Sequence, residues 1–157
     1  LWERTSNVPF LWAGPGIAKG QLVDTTVSLL DTYPTLLELC GLPKNPENEG
    51  VSLASILVNP ASATDRTVVQ CDGPDQLALI NQSWRYVQTK GGEEQLYDVA
   101  NDPDEHRNLA QNPEYREKVA EFANQLPKEV SKPGYRPQDK ELSLKTDGEK
   151  FHWKLKL

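Results

Sequence analysis

The residues with the chemistry for catalysis are few and badly spaced for it. The chain has two histidines, His106 and His152, one in a proline turn and one near the C-terminus, and neither stands at metal-ligand spacing from another His or Cys. Glu93-Glu94 and Asp102/Asp104 are paired acids, but the first pair falls at a hairpin turn and the second in a turn, where solvated carboxylates are the default. Gly14-Pro15-Gly16 lacks the spacing and the following helix of a phosphate-binding loop. Cys40 and Cys71 lie too far apart for a metal knuckle or redox pair. Cys40 falls on an apolar helical face, which favours a buried free thiol over a single disulfide.

Composition narrows the partners. Of 157 residues, 37% are hydrophobic and 25% charged, with a net charge of -6 and a mean hydropathy of -0.63, the profile of one soluble, acidic globular body. A phosphate-backbone partner needs a clustered basic face, and the basic cluster here is the tail set Lys150, Lys154 and Lys156, so no nucleic acid is expected. No apolar run approaches the roughly 18 to 20 residues of a spanning helix, so no membrane partner is expected either. There is no signal peptide and no methionine, and the chain opens on Leu1-Trp2-Glu3-Arg4; these features read as an excised piece of a longer protein.

The elements that must position any site follow from periodicity. Val8-Pro9-Phe10-Leu11-Trp12-Ala13, closed by Gly14-Pro15-Gly16, reads as a strand buried on both faces, which needs neighbours on both sides. Tyr33, Leu36, Leu37 and Cys40 recur at helical spacing, with Asp31 as N-cap, Pro34 in the first turn and Gly41 and Pro43 at the end. A loop over 44–50 and a short helix over 51–58 follow, then extended segments Thr67 to Cys71, Leu77 to Ile80, Trp84 to Thr89 and Gln95 to Val99. The last two predict a hairpin turning at Gly91-Gly92, the pair supplying positive φ. Asn112-Pro113-Glu114 opens a second helix with Tyr115, Val119, Phe122 and Leu126 on one face and Pro127 at its end. From Lys128 the density of Lys, Glu, Pro and Gly reads as an extended polar tail whose Phe151-His152-Trp153 is available to dock on the body.

The order of several blocks resembles a known family. Trp2-Glu3-Arg4-Thr5-Ser6-Asn7-Val8-Pro9-Phe10, Ala13-Gly14-Pro15-Gly16, Leu30-Asp31-Thr32-Tyr33-Pro34-Thr35-Leu36-Leu37-Glu38-Leu39-Cys40-Gly41-Leu42-Pro43, Gly50-Val51-Ser52-Leu53, Trp84-Arg85-Tyr86 and Glu94-Gln95-Leu96-Tyr97-Asp98 run on to Asp102-Pro103-Asp104-Glu105 and Asn108-Leu109. Over residues 1–127 this is similar to the late part of type I sulfatases, nearest in flavour to the iduronate-2-sulfatase-like group of the alkaline-phosphatase superfamily. The resemblance implies an α+β arrangement: a small antiparallel sheet of about four strands packed against a C-terminal helix, preceded by a strand and helix that belong to a large α/β sulfatase body. Residues 1–60 would then be the last elements of that body, 61–127 the sheet-and-helix subdomain, and 128–157 the tail.

Family catalysis, by the same resemblance, uses formylglycine made within a Cys/Ser-x-Pro-x-Arg motif and a calcium ion on Asp and Asn side chains, a hard cation with oxygen ligands being suited to the sulfate oxygens. Cys40-Gly41-Leu42-Pro43 and Cys71-Asp72-Gly73-Pro74 put proline one position late, and Ser131-Lys132-Pro133-Gly134-Tyr135 has Tyr in place of Arg and reads as coincidence. A sulfate-contacting lysine of the family would align just before Leu1. The resemblance therefore implies no catalytic and no metal-binding residue in this chain, and leaves Trp2, Glu3 and Arg4 as the edge of a substrate pocket, against the plainer reading that Trp2 is core and Arg4 pairs locally. It further implies a structural, cleft-shaping piece of a sulfuric ester hydrolase whose partner is the N-terminal catalytic portion, whose substrates are sulfated carbohydrates, and whose compartment is periplasmic or secreted. Two other readings stand beside it. One is a stand-alone module binding a sulfated glycan or a protein through exposed Trp84, Arg85 and Tyr86, Arg being suited to paired bonds with sulfate. The other is a piece of a related phosphodiesterase or phosphonate hydrolase. An exposed strand at Val8 to Ala13 would also pair with a second copy.

Overall fold

A computed structural model describes residues 1–73, 75–130, 141–146 and 151–156. Its centre is a four-stranded antiparallel meander in the order β1-β2-β3-β4: β1 Val68–Cys71, β2 Leu77–Ile80, β3 Trp84–Gln88 and β4 Glu94–Asp98. All four strands fall within a residue or so of the positions that alternation predicts. In the β3–β4 hairpin Tyr86 pairs with Leu96 and Trp84 with Asp98. Its turn closes with Gly92 N–H donating to Thr89 O at 2.8 Å, and of the glycine pair only Gly92 takes a positive φ, +79°.

Alternation along β3 sends successive side chains to opposite faces, and each face is covered. Tyr86 lies with Leu79 and Leu96 against Val119 and Phe122 of helix α4, Arg116–Gln125, and its ring stacks on Phe122 at 6.1 Å between centroids. Trp84 packs on the same cluster, 5.8 Å from the Tyr115 ring. Val87 and Ala78, on the opposite face, are buried with Leu1. The helix begins as foreseen: Asn112 caps a single 3-10 turn, Pro113–Tyr115, its side chain accepting from Glu114 N–H. The outer edge of β4 is closed by the following loop, Leu109 N–H donating to Leu96 O at 2.8 Å and Asn108 Oδ1 accepting from Leu96 N–H at 3.0 Å.

Ahead of the sheet come the short helix α1, Glu3–Ser6, then α2, Thr32–Leu39, and α3, Ala54–Val58. Gly41 ends α2 at φ +66°, with Leu42 N–H returning to Leu37 O at 2.8 Å. Asp31 precedes the helix, but its carboxylate does not cap α2. It completes a capping box with Ser28 around a 3-10 turn, Leu29–Asp31, and accepts from Val51 N–H at 2.8 Å and from Arg66 Nη1 at 2.8 Å. Thr35 joins it, donating to Asp31 O at 2.6 Å and accepting from Leu53 N–H at 2.8 Å. Both side chains are fully buried. With Arg66 Nη2 donating as well, at 3.3 Å, the Asp31 carboxylate has four donors and is a structural hub, stable only because its lone pairs are answered.

Several expectations need correction. Val8 to Ala13 forms no strand, and Leu11 is 91% exposed; an apolar run becomes a doubly covered strand only when strands pair on both sides, and no strand among the described residues pairs with it. The expected edge for a second copy is thus not formed as a strand. Cys40 is exposed because the side of α2 that carries Thr35, not the side that carries Tyr33 and Leu36, turns inward; Cys71, at the end of β1, is exposed too. The tail is more than extended chain: β5 Glu141–Thr146 pairs antiparallel with β6 Phe151–Lys156, the hairpin that alternating Leu142, Leu144 and Phe151, Trp153, Leu155 permit. Ser131 to Tyr135 lie outside the described residues. No helix among the described residues is long and apolar enough to cross a membrane.

Candidate functional site

The fold brings the Leu1–Ser6 segment onto the β3 face opposite α4, and a buried arginine holds it there. Arg85 alternates with Tyr86 and so points away from α4; it is 1% exposed. Its Nη1 donates to Leu1 O at 2.7 Å and to Ser6 Oγ at 3.0 Å, and its Nη2 pairs with Glu3 Oε2. Nε lies 2.5 Å from Glu105 Oε1, a charge contact without the alignment of a hydrogen bond. Glu3 is tied further, its other carboxylate oxygen accepting from Asn7 Nδ2 at 2.7 Å and its N–H donating to Glu105 Oε2 at 3.0 Å. Two carboxylates on one guanidinium, with the remaining oxygens bonded, is the arrangement that makes a buried cation tolerable.

Glu105 reaches Arg85 through the acidic turn. It adopts a left-handed φ of +57°, unusual for a residue with a Cβ and kept only where surroundings over-determine it. Asp102 supplies that constraint: its carbonyl accepts from Glu105 N–H at 3.0 Å and its Oδ2 from Arg107 N–H at 2.8 Å. The backbone N–H of Arg107, and next that of His106, hold the Asp102 carboxyl below its ordinary range. The Asp102-Pro103-Asp104-Glu105 block thus acts as a bracket that delivers one carboxylate.

The three residues named as a pocket edge are therefore parted. Trp2, 39% exposed, anchors on β4 through Nε1 donating to Gln95 Oε1 at 3.1 Å, an oxygen that also accepts from Tyr97 Oη at 3.1 Å. Glu3 turns inward to Arg85. Arg4 projects outward and, among the described residues, pairs with Asp104 at 3.5 Å between exposed groups, a pair worth little in water. Of the three, Arg4 and, in part, Trp2 keep exposed surface, while Glu3 is committed to Arg85. His106 is exposed in the turn, 4.0 Å from Asp104.

Sequence reasoning missed Arg85 as a hub and placed it, with Tyr86, among exposed binding residues; the structure buries both, at 1% and 0% exposure. The signal that was available is the alternation in Trp84-Arg85-Tyr86-Val87: once Tyr86 faces the helix, Arg85 and Val87 must share the other face. A glycan-binding surface on Arg85 and Tyr86 is excluded on this ground. Beside Glu3 and Arg85 opens a cleft of about 900 Å³ between Val8, Phe10, the Val23 to Leu30 stretch and β1.

No family model matches the chain. A sulfatase of Formosa agariphila is 36% identical over 128 residues, which cover 82% of this chain and 25% of that protein. The Delta 4,5-hexuronate-2-O-sulfatase of Bacteroides thetaiotaomicron is 31% identical over 95% of this chain and 33% of its own length. The chain belongs to the sulfatase family. It carries the α+β architecture of that family within the alkaline-phosphatase superfamily: the crystal structure of a sulfatase candidate from Bacteroides thetaiotaomicron superposes with a TM-score of 0.65 at 30% identity, covering 79% of this chain and 29% of that one. The chain spans about a quarter to a third of the length of these curated sulfatases.

Among the described residues no three His, Cys, Asp or Glu side chains converge on one point. The most enclosed carboxylates are committed already, Asp31 to Arg66 and backbone N–H groups and Glu105 to Arg85.

Proposed function

We propose that this chain is the part of a longer sulfatase that buttresses its catalytic body and shapes the rim of its substrate cleft, and that the whole protein hydrolyses sulfate esters of carbohydrates. The observation that carries this reading is the Arg85 clamp: a buried guanidinium locks Leu1 to Ser6 to the sheet, so this segment, with Leu1 itself only 9% exposed, is held in a fixed place. A carbohydrate substrate is supported by the likeness to the hexuronate-2-O-sulfatase. In this reading Arg4, and Trp2 beside it, form the edge of the cleft, Glu3 holds them in place, and the nucleophile comes from the remaining polypeptide. Calcium and formylglycine, expected from the family, are assigned to that remaining polypeptide too, since the most enclosed carboxylates here, Asp31 and Glu105, are committed to Arg66 and Arg85.

The test is hydrolysis of a chromogenic aryl sulfate with calcium, comparing the 157-residue chain with a longer polypeptide in which formylglycine has been installed. Activity confined to the longer polypeptide supports the reading. Activity in the 157-residue chain overturns it.

A further inference from the structure

The 3-10 turn Leu29–Asp31 and helix α2 carry most of their large apolar residues on the outside. Leu29 is 68%, Leu30 58%, Tyr33 54% and Leu36 45% exposed, while Asp31 and Thr35, the polar residues between them, are at 0%. These exposed side chains converge on one groove of about 480 Å³ that Glu47, Glu49 and Gly50 also line. Single exposed leucines need no explanation, but several large apolar side chains on one groove mark a contact surface. The inversion matters as much as the exposure, because α2 spends its inward side on hydrogen bonds and leaves outside the residues that a core would take.

We infer that Leu29, Leu30, Tyr33 and Leu36 are the seat for the larger body of the same sulfatase, whose contacting face is apolar and carries basic residues opposite Glu47 and Glu49. The inference rests on the reading that the chain is one part of a longer sulfatase. The occupant follows from size and charge. The chain spans 25% and 33% of two curated sulfatases, so most of a family member's surface lies outside these residues and is available to cover the groove. A second copy is disfavoured, because a two-fold contact here would bring the Glu47 and Glu49 carboxylates of two chains, each with a net charge of -6, toward one another.

The experiment places the pair Tyr33→Gln and Leu36→Gln in the 157-residue chain and in the longer polypeptide, and follows thermal unfolding of both. Because both side chains are already half exposed in the chain, its melting temperature stays within about 2 °C, while the longer polypeptide loses at least about 5 °C or fails to fold. Shifts below about 2 °C in both overturn the inference. So does sedimentation showing a dimer of the chain that the substitutions abolish, which would give the surface to a second copy. Aryl sulfate hydrolysis by the unsubstituted longer polypeptide is scored separately: its absence would sink the functional reading while the stability comparison still decides the surface.

Discussion

Replacing Arg85 with methionine removes a cation and leaves its acceptors behind. The guanidinium donates to Leu1 O at 2.7 Å and Ser6 Oγ at 3.0 Å and is the shared counter-charge of two carboxylates, of which Glu105 is 5% exposed and Glu3 36%. Removing one partner of a buried pair costs about 3–5 kcal/mol, because the remaining charge stays uncompensated. The partial exposure of Glu3 lets water take over some of its share, which places the cost near the lower end, about 3–4 kcal/mol. In a chain of this size that lowers the melting temperature by roughly 6–16 °C, read by circular dichroism at pH 7. Arg85→Lys falls between, since an ammonium cannot span donors aimed at Leu1, Ser6, Glu3 and Glu105 together. The sharper comparison is the variant Glu3→Gln/Arg85→Met/Glu105→Gln, which removes all three charges and recovers to within about 1.5 kcal/mol of the starting protein. A loss below about 1 kcal/mol in Arg85→Met, or a charge-free variant no more stable than the single one, would refute the clamp as a buried ion network.

Gly50→Ala would place a Cβ inside the backbone of Leu30 and 2.9 Å from Asp31 N, so the loop must move off the Asp31 hub; urea unfolding is expected to show a loss of about 2 kcal/mol or more. Phe122→Ala empties the centre of the β2–β3–β4/α4 core and costs about 3–5 kcal/mol, whereas Tyr86→Phe keeps the stack and loses only the 2.6 Å bond to Glu94, about 1 kcal/mol; a reversed order of the two in chemical denaturation would misplace the core. Asp102→Asn tests the acidic turn through pH. The Asp102 carboxyl is held below its ordinary value of 3.8, so its contribution is complete above that value and is lost as pH falls through the lower, folded one. The variant is therefore less stable at pH 7, and the gap narrows as pH falls below 3.8 toward the lowered, folded value; a gap that does not change on acidification would detach the carboxylate from the turn.

Much of the fold was legible because it is written in local periodicity. Trp84-Arg85-Tyr86-Val87-Gln88 and Glu94-Gln95-Leu96-Tyr97-Asp98 alternate across a glycine pair, and Asn112-Pro113 with Tyr115, Val119, Phe122 and Leu126 declares a capped helix. The tail hairpin was equally local, but its lysines and glutamates outweighed the alternation of Leu142 and Leu144. Val8 to Ala13 has the composition of a covered strand, and composition cannot supply the strands on either side.

What the sequence alone determined is the set of elements and the face each residue takes within its own element, because dihedral geometry and side-chain spacing are properties of neighbouring residues. Whether a face is wet or covered was decided by segments far away in the chain. Arg85 meets Leu1 across 84 positions, and Asp31 meets Arg66 across 35. A guanidinium bathed in water and one locked between two carboxylates have the same sequence around them, and only the tertiary structure sets the dielectric in which the charge must find its partners.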